Sequence, residues 1–170
     1  MKNTPRHFSA ADLDWVLALN RLFEVELAPL SRAGLIQLLQ KASYSRVVDD
    51  RAAFLIAFAG DSDYDSPNFL WFKGRLERFI YVDRIAVSQA HRGRGLARIL
   101  YEDLFHHGLH NNRDVIVCEV NSKPPNPASD AFHQAMGFTE MGAAYLEDRN
   151  KTVRYLRRAL ADKPSDMMGT

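Results

Sequence analysis

The chain has 170 residues, 46% of them hydrophobic, which is enough for one sizeable globular core. Its 22 Lys and Arg against 21 Asp and Glu leave a net charge of +1, without the basic excess of a dedicated nucleic-acid binder. No apolar run reaches membrane-spanning length and none follows Met1-Lys2-Asn3-Thr4-Pro5-Arg6, so neither a membrane span nor a signal peptide is expected.

In chain order, Leu13, Val16, Leu17, Leu19, Leu22 and Phe23 recur at helical spacing and predict a helix over 12–27. Ser31 suits the cap of a second helix running to about residue 42, with Leu35, Leu38 and Leu39 on one face. Residues 44–48 and 52–58 read as strands joined by the polar turn Asp49-Asp50-Arg51, hence a hairpin. A polar stretch with Asp61, Asp63 and Asp65 leads into residues 69–79, which mix aromatics with Lys73, Arg75 and Arg78 and suit a short helix. A strand over 80–87 and a helix over 95–107 follow, the helix ending near Gly108. The next strand, 115–120, is apolar on both faces except at Glu119 and therefore central in a sheet. It holds the single Cys118, which excludes an internal disulfide and fits a buried thiol in a reducing cytoplasm. A helix over 127–136 and strands over 138–146 and 152–160 complete one domain over 1–160, with 161–170 as a loose tail. Strand–helix–strand–helix in the second half implies a parallel crossover inside a mixed-sheet α/β (α+β) domain.

Two stretches carry chemistry. The first is Arg92-Gly93-Arg94-Gly95-Leu96-Ala97, between the strand containing Ile85, Ala86 and Val87 and the helix that follows. A glycine-punctuated turn at a helix start collects main-chain N–H donors on the positive end of the helix dipole. Glycine admits close approach, and the arginines add forked donors suited to phosphate oxygens, so the segment fits a pyrophosphate. The bland reading is a strand–helix turn that needed glycines. The second stretch, Asn126-Pro127 through Gly137-Phe138, is a helix with a cap at Asn126, Pro127 in the first position and a stop at Gly137.

Together these stretches resemble the GNAT superfamily of N-acetyltransferases. Arg92, Gly95 and Ala97 match its acetyl-CoA motif, and Asn126, Gly137 and Phe138 match its later motif at the usual spacing. The resemblance implies a splayed mixed β-sheet of about six to seven strands flanked by about four helices. It implies acetyl-CoA as co-substrate, without a metal. The pantetheine arm would lie along Ile85, Ala86 and Val87, the pyrophosphate on N–H groups from Arg92 to Ala97, and the far side of the cofactor near Asn126 and Ser129. The acceptor would be a small-molecule or peptide amine, with no nucleic acid or membrane as partner, and homodimers are common in the family. Many members carry a tyrosine acid near the end of the helix ahead of Gly-Phe. That place is held here by His133, which either substitutes as proton donor or is a spectator. Glu119 is either the base or a strand-end carboxylate that binds an arginine or faces solvent. Asp83 and Arg84 read as a sheet-face ion pair, with Asp83 a weaker base candidate. Asp63 and Asp65 either draw a cationic amine to the acceptor pocket or belong to a solvated loop whose aromatics are anchored in the core. His106 and His110, four residues apart, have no third metal ligand apparent nearby. A rival function is an acyl-CoA sensor of the same fold without turnover.

Overall fold

The computed structural model describes residues 3–160, so the expected tail over 161–170 lies outside the described residues. Its elements are α1 (Leu13–Leu22), α2 (Arg32–Lys41), β1 (Tyr44–Val48), β2 (Ala53–Ala59), α3 (Pro67–Lys73), β3 (Phe79–Val87), α4 (Leu96–His110), β4 (Val115–Lys123), α5 (Pro127–Ala135), β5 (Thr139–Leu146) and β6 (Lys151–Ala159). The six strands form one mixed sheet in the order β1-β2-β3-β4-β6-β5. Only β3 and β4 pair in parallel; the other neighbours are antiparallel.

Local chemistry places most element ends. Asp50 and Arg51 both sit in the left-handed region, at φ +64° and +56°, as a tight hairpin turn requires. Ser31 Oγ accepts from the Gly34 N–H and opens α2. Ser66 does the same for Phe69, with Pro67 in the first helical position of α3. Both faces of the sheet are covered, which is why all seven residues of β2 are buried. Helices α4 and α5 pack Leu100, Leu104 and Met136 on Ile80, Ile116 and Val120. On the other face, α1, α2 and α3 pack Val16, Leu35, Phe69 and Phe72 on Phe54, Phe58, Phe79 and Val117.

Two helix ends differ from the sequence expectation. Helix α1 stops at Leu22 rather than residue 27, and in the segment that follows the Val25 carbonyl accepts from Asn121 and the Ala28 carbonyl from Arg84 and Asn20. Helix α4 runs past Gly108 to His110. Gly108 is a contact point, not a stop: a Cβ there would lie 2.6 Å from Leu160 Cδ1. Gly142 on β5 has a similar origin, since a Cβ would lie 2.6 Å from Trp71, whose ring stacks on Tyr155. Gly142→Val is expected to cost about 1–3 kcal/mol by overpacking, read as a lower denaturant midpoint at unchanged m-value.

The feature that creates a site is the gap between β3 and β4. They pair only from Phe79↔Val115 to Tyr81↔Val117 and then part. On the other edge of β3, the register with β2 jumps from Ala57↔Val82 to Ile56↔Arg84, leaving Asp83 as an extra residue. This bulge bends the strand away from β4. It also turns Asp83 and Arg84 to the same face.

Candidate active site

A cavity of about 640 Å³ occupies the gap. Ile85, Ala86 and Val87 line one wall, Arg92, Gly93 and Ala97 the mouth at the start of α4, and Asn126, Ser129 and His133 the α5 side. Glu119 and Asp83 lie on the floor, and Phe23, Glu26 and Leu27 close the side facing α1. Of the residues expected to hold the cofactor, Arg94, Gly95 and Leu96 do not line the cavity with side chains. Arg94 is exposed, Gly95 is the N-cap of α4, and Leu96 is buried in the core below.

The mouth offers backbone donors that can take an anion. Gly93 and Gly95 sit at φ +78° and +72°, and a Cβ on either would have nothing within 4 Å. The glycines therefore serve backbone shape and open space rather than internal packing. No N–H group of residues 93–98 donates to a carbonyl or side chain among the described residues, and the first bond back into the turn is Ile99 N–H to Gly95 O. That row of free donors stands on the positive end of a fifteen-residue helix, with the Arg92 side chain beside it over the Phe23 ring. On the α5 side, the Asn126 side chain accepts from the Ser129 N–H, so its first role is to cap the helix.

Glu119 is on the α1–α3 face of β4, the same face as Tyr81 and Asp83. Its Oε2 is sealed from solvent and has no hydrogen-bond partner among the described residues. Burial pushes its carboxyl up to about 7, against a smaller opposing effect of the Tyr81 hydroxyl. The arginine partner left open by the sequence is absent among the described residues. Asp83 is different: it accepts from Arg84 Nε at 2.8 Å and from Tyr64 Oη at 2.5 Å, the ion pair that its sequence position suggested. Two donors thus already engage its carboxylate oxygens.

Asp63 and Asp65 do not reach the cavity. Both are exposed, and Asp63 lies 4.0 Å from Lys41. Tyr64, between them, points inward instead, stacked on Phe58 at 3.9 Å. The aromatic residue gains from burial while the acids keep their hydration. His106 and His110 belong to no group of three metal-binding side chains among the described residues. Sequence reasoning missed Tyr101, whose buried hydroxyl lies 2.8 Å from His133 Nε2, and missed Asn20, which bonds Arg84. The apolar helix patterns that contain them gave no signal.

A family profile described as the acetyltransferase (GNAT) family matches residues 26–138. The chain belongs to the GNAT acetyltransferase family. The reading as a GNAT-type N-acetyltransferase therefore holds, and the splayed six-stranded sheet with five α-helices is close to the expected counts. No curated protein matches the sequence. Among solved structures, the chain is similar to Chaetomium thermophilum Naa20 in complex with a bisubstrate analogue, at TM-score 0.74 and 19% identity, covering 92% of this chain and 86% of that one. It is similar to Ard1 from Thermoplasma volcanium at TM-score 0.73 and 16% identity, covering 94% and 98%. The ribosomal-protein-S18-alanine N-acetyltransferase from Escherichia coli aligns at TM-score 0.66 and 16% identity over 99% and 100%. At these identities the likeness shows the fold.

Proposed function

We propose that the chain transfers the acetyl group of acetyl-CoA to a primary amine by direct attack in a ternary complex. The observation that carries this is one continuous cavity joining a free row of N–H donors at Gly93 and Ala97 to the desolvated carboxyl of Glu119. The donors of residues 93–98 hold the pyrophosphate, and Arg92 adds a forked cation. Beyond the bulge, β3 offers main-chain groups that β4 no longer engages, and the pantetheine amides bond there along Ile85–Val87. Glu119, with a pKa near neutrality, takes the proton of the attacking amine, and a main-chain N–H at the splayed strand stabilises the oxyanion.

The acceptor enters from the α1 side, past Phe23, Glu26 and Leu27. The structural relatives include enzymes named for a ribosomal protein's alanine, which supports a peptide amine as one acceptor class beside small amines. The carboxylates of Glu26 and Glu119 favour a cationic amine on approach. We read residues 1–160 as one catalytic domain, since all six strands share one sheet. No described helix is long and apolar enough to cross a membrane, and the lone, buried Cys118 supports a cytoplasmic setting.

The segment after α1 is held in place by a buried polar relay. Arg84 Nη1 donates to Asn20 Oδ1 at 2.8 Å and to the Ala28 carbonyl at 3.1 Å, and Asn20 Nδ2 donates to the same carbonyl. Asn20→Ala is expected to lower stability by about 1–3 kcal/mol. It should also raise KM for the amine severalfold while KM for acetyl-CoA stays put. The whole reading is tested by calorimetry with acetyl-CoA and by thiol release with a panel of amines and short peptides. Binding without turnover on any amine would favour the sensor; no binding would overturn both readings.

A further inference from the structure

We propose that Tyr101 delivers the proton to the departing CoA thiolate, and that His133 recharges Tyr101 instead of acting on the sulfur itself. This rests on the acetyl-transfer reading and concerns its leaving-group half.

Both nitrogens of His133 are committed. Nδ1 lies 2.7 Å from the Ser129 carbonyl oxygen, which can only accept, so Nδ1 carries a hydrogen. In the neutral ring Nε2 is then bare, and the Tyr101 hydroxyl, 2.8 Å away, donates to it. A neutral His133 thus has no proton to offer the cavity. The hydroxyl it holds does face the right place. Tyr101 lines the cavity beside Cys118. Cys118 and Glu119 are successive residues of β4, so their side chains take opposite faces. Glu119 stands on the α1–α3 face, while Tyr101 and His133 stand on the α4–α5 face. A thioester drawn into the gap meets the amine and its base on one side and Tyr101 on the other.

The step balances as follows. Uptake of a solvent proton at Nε2 reverses the hydrogen bond: Nε2–H donates to Tyr101 Oη, and the O–H turns toward the cavity. When the tetrahedral intermediate collapses, the C–S bond breaks with its electron pair on sulfur. The Oη proton moves to sulfur as the Nε2 proton moves to Oη. Tyr101 and His133 both end neutral, CoA leaves as the thiol, and Glu119 returns the amine's proton to solvent.

The groups around the pair are few. Tyr101 comes from α4, Cys118 and, across the strand, the carboxyl of Glu119 from β4, while Ser129 and Asp130 share α5 with His133. Arg154 of β6 pairs with Asp130. Burial lowers the His133 pKa, opposed by the Ser129 carbonyl and by the Asp130 charge. Burial also keeps the Tyr101 hydroxyl and the Cys118 thiol protonated. The pair is therefore neutral at rest, and its charged form fades as pH rises.

The test uses free CoA first. The thiol pKa of protein-bound CoA is read from thiolate ultraviolet absorbance in wild type and Tyr101→Phe. A bound thiolate, being anionic, is a stronger acceptor than neutral Nε2 and draws the hydroxyl to itself, so loss of the hydroxyl is expected to raise that pKa by about one unit, a tenfold shift in the thiol–thiolate ratio. With the best amine of the panel, Tyr101→Phe should lose about 100-fold in kcat at unchanged KM for acetyl-CoA. It should also lose the fall in kcat at alkaline pH. His133→Gln, which cannot titrate, should lose the same fall while Tyr101 is present. CoA bound with an unshifted thiol pKa, or an alkaline fall that survives either substitution, overturns the proposal. Absence of CoA binding in wild type overturns instead the reading beneath it.

Discussion

Glu119→Gln is expected to lower kcat/KM for the amine by about 1,000-fold while leaving the affinity for acetyl-CoA near its wild-type value. The side chain lies on the floor of the cavity, on the face of β4 opposite Tyr101, and on a different element from the turn at Gly93 and Gly95. Burial raises its pKa to about 7, so near neutral pH it exists in both forms and can accept and release a proton without a large penalty. The rise in rate with pH on the acid side belongs to this carboxyl and should vanish in the variant. A Glu119→Gln enzyme that retains both the rate and the acid limb would remove Glu119 from the chemistry.

The same substitution should make the protein sturdier at high pH. The carboxyl is near 7 in the folded state and near 4.3 when unfolded, so between these values the folded chain holds the extra proton. Stability therefore falls as pH rises across that window. A glutamine neither titrates nor leaves a buried charge. Its melting temperature should exceed that of wild type at pH 8 by about 5 °C, with little difference near pH 4.5. Loss of activity combined with gain of stability is the signature of a carboxylate kept desolvated for its reaction. A structural carboxylate would lose both.

Much of this architecture is written locally in the chain. The Asn126-Pro127 start and Gly137 stop of α5, the glycines before α4 and the unbroken apolar run of β2 each impose their own element. The long first helix was misread because periodicity counts only side chains. The segment after α1 is tied by its Val25 and Ala28 carbonyls to Asn121 and Arg84, residues up to 96 positions away, which local periodicity does not register. In the segment holding Asp63 and Asp65, the acids are exposed while Tyr64 between them packs inward and braces Asp83, as a solvated loop with anchored aromatics does. The adjacent polar pair Asp83-Arg84 in an apolar strand did carry a signal. Two neighbouring polar residues can face one side only at a bulge, and here the bulge opens the cavity. The family resemblance located His133, but its partner Tyr101 sits 32 residues earlier on another helix.

The second large effect concerns the turn itself. Gly93→Ala combined with Gly95→Ala is expected to weaken acetyl-CoA binding by about 1,000-fold, which is about 4 kcal/mol. Two causes act together. Each alanine must hold a positive φ, a conformation that disfavours L side chains by about 1–2 kcal/mol and is relieved by rotating N–H donors out of the row. Each new Cβ also projects into space that the protein leaves open, and loss of two charge-assisted bonds to phosphate accounts for about 3–6 kcal/mol. Because neither Cβ touches another atom of the protein, the fold should survive, with an unchanged circular dichroism spectrum and a modest drop in melting temperature. Gly95→Asn separates the two causes. Asparagine tolerates the left-handed region, so the helix start is kept and only the added side chain opposes the ligand. Its binding loss should be smaller than that of Gly95→Val, which suffers both. Calorimetry that finds wild-type affinity in the double alanine protein would mean that the phosphates lie elsewhere, and the N–H row at α4 would then be only a helix end.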